Sequence, residues 1–370
     1  MNAYAVKMRH IMPVFLYVTI GSLIGLCMIR YIFAIQTEVL DFKQEVWEIW
    51  IPIVFPWIPI TIWLRPRFRI LIFRKESDRK QFLFQMLTWI TMAASMVISQ
   101  MYLTTASGTL QDASYIEELD SMDRSRYYRI RSFETLTSYG SYDADIHASG
   151  KHNEYLNFHL YFVCPIVRDT VRPPEEFKYW YGVSFKKQIS NRLSADEKEL
   201  EYNSFTKECI QKMNAFQFHD VSYFERLPNN EDRDGYLGAV ANITKREDNN
   251  VVILEPKQGS FENRNGNKLT WIFGSYLIGT TVILLLLLWP RLSKVELERQ
   301  WRGKKPQKDE VVDMLKFLIP KHPHFVTSVI LDLNILVFIV MILAGVHIIF
   351  PERLRAFGMG CQPENRNNRR

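Results

Sequence analysis

Cysteine is scarce in this sequence, and so are the short motifs that mark common enzyme families. The four cysteines form no CxxC pair and no spacing typical of a metal site. The sequence also lacks a phosphate-binding loop, a dinucleotide-binding glycine pattern, an HExxH motif and a nucleophile elbow. We therefore predict no catalytic, cofactor-binding or metal-binding residue, and no cofactor.

A large excess of one charge over the whole chain is also absent, because 46 Lys and Arg residues face 40 Asp and Glu residues. The basic residues instead form blocks beside apolar segments. Such blocks are typical of membrane proteins, whose cytoplasmic loops are rich in Lys and Arg. This pattern argues against nucleic acid as a partner and favours the lipid bilayer.

Long apolar runs are abundant. The last run, Phe325–Phe350, is interrupted by few strongly polar side chains. It is long enough to span a membrane, since a helix needs about 20 apolar residues to cross about 30 Å of hydrocarbon. The other candidate spans are Pro13–Ile35, Ile49–Leu64, Phe82–Leu103 and Trp271–Trp289. Prolines interrupt Ile49–Leu64, and the segment alone leaves open whether it crosses fully or re-enters.

Basic residues at the ends of these runs predict their orientation. Lys7 and Arg9 precede the first run, and further basic blocks lie in Arg65–Lys80 and Arg291–His324. The positive-inside rule places these parts in the cytoplasm, so the Pro-rich segment is expected to cross and Thr104–Lys268 to lie outside.

We thus predict a multi-span α-helical membrane protein of about five transmembrane helices with an inserted extracytoplasmic α+β domain. We expect it in a bacterial inner membrane with a cytoplasmic N-terminus. The predicted divisions are three spans within 1–103, the α+β domain 104–268, a fourth span 269–290, a basic linker 291–324, a fifth span 325–350 and a polar tail 351–370.

Local patterns predict structure inside the domain. Alternating apolar residues indicate strands at Leu156–Val163 and Tyr179–Phe185. Ser194 and Glu197 form a capping box at the start of an amphipathic helix. Stretches 227–235 and 257–268 are rich in Asn, Gly and charge, which predicts flexible rims. Cys164 and Cys209 are either a disulfide or two buried free thiols, and the sequence leaves both open.

Several polar residues are candidates for chemistry, each with a plainer alternative. Asp143, Asp145, His147 and His152 cluster in sequence, but ligands from one irregular stretch need the fold to converge them, and a solvated turn is favoured. Asn242–Thr244 is a glycosylation sequon, meaningful only in a eukaryotic secretory pathway. The remaining candidates lie in or beside predicted spans: His322, His324, Asp332, Asn334, His347 and Arg30. The Arg30 side chain is expected to extend outward from the first span. Gly21 and Gly25 also allow self-association of the first span.

The segment Met314–Val346, MLKFLIPKHPHFVTSVILDLNILVFIVMILAGV, resembles the entry into the catalytic core of rhomboid intramembrane serine proteases. The resemblance implies a Ser–His dyad in later helices, with the Ser in a GxSG motif. The Ser-Gly pairs here are Ser107-Gly108 and Ser149-Gly150, and Thr105 and His147 stand where GxSG needs its first Gly. No residue of this chain therefore inherits the dyad.

Two interpretations follow. The favoured one is a truncated rhomboid-like protease chain, inactive as it stands, with its reading frame changed near Phe357. The alternative is a non-enzymatic membrane protein whose extracytoplasmic domain binds a partner or envelope component. Other membrane proteins and a second copy of the chain are further candidate partners.

Overall fold

The computed structural model describes residues 3–37, 39–40, 42–73, 77–169, 177–244, 250–303, 325–343 and 354–355. The chain divides into two compact units. The first unit draws on residues 1–108 and 262–346, and the second on 109–261 and 347–370.

The helices, in chain order, are α1 (Ala3–Arg30, continuing as a π-helical segment to Gln36), α2 (Val46–Phe68, built from α- and π-helical turns), α3 (Ser77–Ala106), α4 (Ala195–Asn214), α5 (Glu231–Thr244), α6 (Lys268–Leu286), α7 (Lys294–Trp301) and α8 (Phe325–Leu343). The strands are β1 (Leu71–Ile72), β2 (Leu110–Ala113), β3 (Tyr127–Ile130), β4 (Glu134–Thr135), β5 (Ser141–Ser149), β6 (Tyr155–Val167), β7 (Tyr179–Ser190), β8 (Tyr223–Arg226), β9 (Val252–Lys257), β10 (Arg291–Leu292) and β11 (Leu354–Arg355).

Among the described residues, four helical stretches are long and apolar enough to cross a membrane. They are Ala3–Gln36, Val46–Phe68, Gln81–Ala106 and Phe261–Leu286. Four membrane-length apolar helices and an inserted sheet-rich domain are consistent with the predicted fold class. The predicted fifth span is described only as far as Leu343 in α8, and residues 344–350 and the linker 304–324 lie outside the described residues.

The prolines of α2 do not end it. Pro52 lies inside α2, just after the π-helical segment Val46–Trp50. Pro59 comes just before the π-helical segment Ile60–Leu64, whose wider turn changes the local hydrogen-bond pattern. The stretch is consequently 23 residues long, which is enough to span.

Small residues bring α3 and α6 close together. A Cβ atom on Gly279 would lie 2.2 Å from Thr91, so only glycine fits there without a shift. One turn away, the Ser95 and Ser275 hydroxyls lie 3.2 Å apart. Close backbone approach between small and hydroxyl-bearing residues is a common way to pack helices in membranes.

Arg30 does not extend outward as predicted. It is 5 % exposed and donates to the Gln100 carbonyl at 2.8 Å and the Thr104 hydroxyl at 2.7 Å. Glu48 lies 3.9 Å from its guanidinium and also accepts from Thr104. Burial is tolerated because one cluster supplies both hydrogen-bond acceptors and an opposite charge. The cluster joins α1, α2 and α3.

The second unit is built on a mostly antiparallel sheet with the order β11-β5-β6-β7-β9-β8-β3-β2. Helix α4 packs on one face through Phe205 and Cys209 against Phe158 and Leu160. Helix α5 packs on the other face through Tyr236, Ala239 and Val240 against Tyr161 and Trp180. The predicted strands lie within β6 and β7, and the Ser194–Glu197 capping box is present, so these predictions are confirmed.

Cys164 and Cys209 are both free and buried, in separate apolar clusters. The free-thiol alternative is therefore confirmed over the disulfide. Burial raises the pKa of each thiol to about 11, which leaves both as unreactive core side chains.

Two stretches differ from prediction. The segment containing Asp145 and His147 is strand β5, not a solvated turn. The stretch 227–235, predicted to be a flexible rim, holds the first residues of α5. The Asn230 side chain accepts from the backbone N–H of Arg233 at 3.1 Å, and acidic residues fill the first turn, which are both strong helix-start signals.

Candidate metal centre

The hairpin of β5 and β6 brings three metal-binding side chains together on one sheet face. In the antiparallel register Asp145 lies opposite His159, and His147 lies opposite Asn157. Side chains two residues apart on a strand point to the same face, and so do directly opposed residues. Asp145, His147 and His159 are consequently neighbours, although Asp145 and His159 are separated in sequence by a turn.

The three side chains are close enough to share one ion. One donor atom from each lies within 4.8 Å of the others. The Nδ1 atom of His147 is 3.5 Å from a carboxylate oxygen of Asp145, and the His147 and His159 rings meet edge to face at 4.9 Å. Donors bound to one tetrahedral zinc ion are roughly 3.4 Å apart, so the donors of this group would have to move closer together to bind one.

A hydrogen-bond chain holds the His159 ring. Its Nδ1 atom is 3.1 Å from the Tyr161 hydroxyl, and that hydroxyl donates to Asp232 at 2.8 Å. The Tyr161 proton is committed to a carboxylate, so the Tyr161 oxygen accepts from Nδ1–H of His159. The Nε2 atom of His159 then carries the free lone pair, which is the arrangement of metal-binding histidines whose second nitrogen is held by a neighbour.

Electrostatics favours a neutral His159. Burial lowers the pKa of its imidazole to about 4, with further contributions from Lys186 and His147. Burial alone would raise the pKa of Asp232, but hydrogen bonds from Lys186 and Tyr161 hold it below its ordinary value. The Lys186 amine donates to both Asp232 oxygens, at 2.9 and 3.0 Å. At neutral pH the group thus contains an uncharged His159 imidazole beside the Lys186–Asp232 ion pair.

Two glycines of α5 let the helix lie on this polar face. A Cβ atom at Gly235 would lie 2.3 Å from ring carbons of Tyr161, and one at Gly238 would lie 2.2 Å from an Asp143 oxygen. Their missing side chains let Asp232 approach Tyr161 from α5. They also show that Asp143 lies against α5 and outside the three-residue group.

The sequence candidates meet only in part. Asp145 and His147 join the group, whereas His152 is exposed in the turn after β5. The sequence analysis did not include His159 in the cluster. The alternation of residues in β6 could have indicated it if the segment DADIH had also been interpreted as a strand. The Asn242 amide of α5 donates to the Tyr142 carbonyl of β5 at 3.1 Å.

The candidates in and beside the last apolar segment are not members of this three-residue group as far as the structure describes them. Asp332 and Asn334 lie in α8 of the first unit. His322, His324 and His347 lie outside the described residues.

No protein-family model matches the chain, and the searches of curated proteins and of solved structures find no match. The rhomboid resemblance of Met314–Val346 therefore stays a prediction. Residues 314–324 and 344–346 of that segment, and the tail after Phe357, lie outside the described residues.

Proposed function

We propose that this chain is a membrane-anchored metal-binding protein. Apolar helices hold it in the bilayer, and the sheet-rich unit binds one divalent transition-metal ion through Asp145, His147 and His159. The observation that carries the proposal is the convergence of two imidazoles and one carboxylate within 4.8 Å of one another. The proposal keeps the non-enzymatic alternative of the sequence analysis, but it replaces the partner or envelope component with a metal ion and departs from the prediction of no metal-binding residue.

The donor set selects the class of metal. Two imidazole nitrogens and one carboxylate oxygen suit Zn(II), Co(II), Ni(II) or Fe(II). Mg(II) and Ca(II) prefer shells made entirely of oxygen. The proposed ion is accordingly a first-row transition metal or zinc.

Aromatic and charged residues support the membrane placement. Trp271 and Trp289 are 58 % and 77 % exposed at the two ends of the α6 region. Trp271 lies in α6 and Trp289 lies three residues after its last residue, Leu286, so the two side chains bracket about 24 Å of helix, most of the thickness of the hydrocarbon layer. Exposed tryptophans at this spacing match the aromatic belts at the two membrane surfaces.

Strand pairing supports a fifth crossing. Leu354 and Arg355 pair with β5, whose strand belongs to the inserted unit. The chain leaves that unit through α6, so its return to the same side requires another crossing, which Phe325–Phe350 supplies. Together with the basic loops, this favours the inserted unit and the tail on the extracytoplasmic side of a bacterial inner membrane.

Zinc titration of the full chain tests the function. Metal-free protein in a maltoside detergent is titrated calorimetrically with Zn(II), and the same is done for His147→Ala, His159→Ala and the control His152→Ala. We expect one ion per chain. Each ligand variant should weaken binding at least tenfold, about 1.4 kcal/mol.

The control His152→Ala removes an exposed histidine from the same hairpin and should keep the parent affinity. Unchanged far-ultraviolet circular dichroism shows that each variant is folded. Substoichiometric binding by the parent, or an equal loss in His152→Ala, would overturn the proposal.

A further inference from the structure

We propose that the metal ion at this site also binds an exogenous oxyanion, of the phosphate or carboxylate class, directly on the metal. This inference builds on the metal site proposed above and specifies what that site takes up. Three observations lead to it: an incomplete set of protein donors, access from solvent, and a positive charge beside the ion.

The protein donor set is incomplete. In the part of the chain that the structure describes, the group contains Asp145, His147 and His159 and no further His, Cys, Asp or Glu. Asp143, on the same strand face, lies against Gly238. Zinc takes at least four ligands, and sites with three protein ligands keep an open position filled by water or substrate. A closed structural site would use a fourth side chain.

Solvent reaches the open position. The side chains of His147 and Asp145 are 33 % and 17 % exposed, so the metal would lie at the surface of the sheet face. The His159 side is more enclosed, because Tyr161 beneath it is 2 % exposed. The site is therefore enclosed around His159 and reaches solvent at His147, whose side chain is the more exposed of the two β5 ligands.

Charge selects an anion for that position. The charged groups acting on His159 are Lys186, Asp232 and Asp145, beside the ring of His147. With a divalent ion bound, the two carboxylates and the one ammonium leave a net positive charge. Lys186 lies directly opposite His159 in the strand register and directs two N–H groups to Asp232. An ammonium has three N–H groups, so one remains for an incoming oxygen.

The binding step is a ligand exchange. An oxygen of the oxyanion forms a bond to the metal as the bond to a bound water breaks and that water leaves. The metal keeps its oxidation state.

Co(II) reports this exchange because its visible absorption depends on coordination number and ligand type. The full chain in maltoside micelles is loaded with Co(II) and titrated with inorganic phosphate and with acetate. We expect a saturable change in the visible bands with each anion. A Co(II) spectrum that stays constant through both titrations overturns the inference while the metal site stands. Failure to bind Co(II) at all removes the metal site itself.

Two neighbouring lysines provide a matched pair of variants. Lys186→Gln should weaken phosphate binding to the Co(II) protein several-fold and leave Co(II) affinity within about twofold, since Lys186 is not a ligand. Lys187 points to the opposite face, where it bonds Glu201 at 2.7 Å. Lys187→Gln should match the parent. Equal phosphate affinity in parent and Lys186→Gln would refute the role of Lys186, and with it the charge argument.

The oxyanion can be free or part of a lipid headgroup. The same Co(II) protein is therefore also measured in micelles doped with phosphatidic acid. A spectral change with free phosphate alone assigns a soluble ligand, whereas a change with the doped micelles assigns a phosphomonoester headgroup. Either result supports the oxyanion site, and no change in both overturns it.

Discussion

Replacement of Tyr161 by Phe isolates the support that the protein gives to the metal-binding imidazole. The ring of Tyr161 is 2 % exposed, and Phe preserves its volume and its contact with Gly235. The hydroxyl alone is removed. His159 then loses the acceptor that fixes its Nδ1–H tautomer, and Asp232 loses one donor but keeps Lys186.

The expected loss follows from these contacts. Removal of an outer-shell partner of a metal-bound histidine typically lowers affinity by about 10- to 100-fold, or roughly 1.4 to 2.7 kcal/mol. The free energy of unfolding of the apo protein should fall by only about 1 kcal/mol, the usual net value of one hydrogen bond. Metal affinity is thus expected to change more than apo stability.

Competition with a chromophoric chelator measures the Zn(II) affinity of the full chain. Tyr236→Phe is the matched control, because the Tyr236 hydroxyl also donates to a carboxylate, that of Glu255 at 3.0 Å, whereas the hydroxyl beside His159 is that of Tyr161. An unchanged zinc affinity in Tyr161→Phe, or an equal loss in Tyr236→Phe, would refute the reasoning.

Three further outcomes are expected. Gly235→Ala should lower the free energy of unfolding by about 2 kcal/mol in a chemical denaturation, because the new Cβ overlaps the Tyr161 ring. Glu225 bonds Arg126 at 2.7 and 2.8 Å, and Glu225→Gln should cost about 2 kcal/mol at pH 7. Because the pKa of Glu225 is lowered in the folded protein, the stability difference between parent and variant has its full size above the ordinary Glu pKa and vanishes as pH falls through the folded-state pKa. Equal melting temperatures of the two proteins at pH 7 would contradict this. A cysteine at His152, in a background without the native cysteines, should react with an impermeant maleimide on intact bacterial cells, and labelling only after permeabilisation would reverse the topology.

Local signals were sufficient for the elements whose residues act on near neighbours. The capping box at Ser194 and the alternation in β6 and β7 depend on contacts within a few residues or on one buried face, and both are present in the structure. Arg30 was predicted wrongly because its partners Gln100 and Thr104 lie about 70 residues away in sequence. Its burial depends on helix packing that no local pattern encodes.

The candidate centre was missed for a related reason. Asp145 and His147 drew attention, but their third partner is fixed by the register of β5 against β6. Asp232, which completes the hydrogen-bond chain, lies in a stretch whose Asn and Asp residues predict a loop. The same residue types also cap helices, and the packing of α5 on the sheet decides between the two outcomes.

Whether the three side chains meet depends on the number of residues in the hairpin turn between β5 and β6. Gly150 and Asn153 have positive φ angles of 93° and 56° and fix where the two strands begin to pair. Insertion of one residue in this turn that shifts the pairing of β6 by one position would turn His159 to the opposite face, away from Asp145 and His147. A two-residue insertion would keep His159 on the shared face but displace it along the strand. Homologous chains that keep the centre should therefore vary in the identity of the turn residues and hold their number constant.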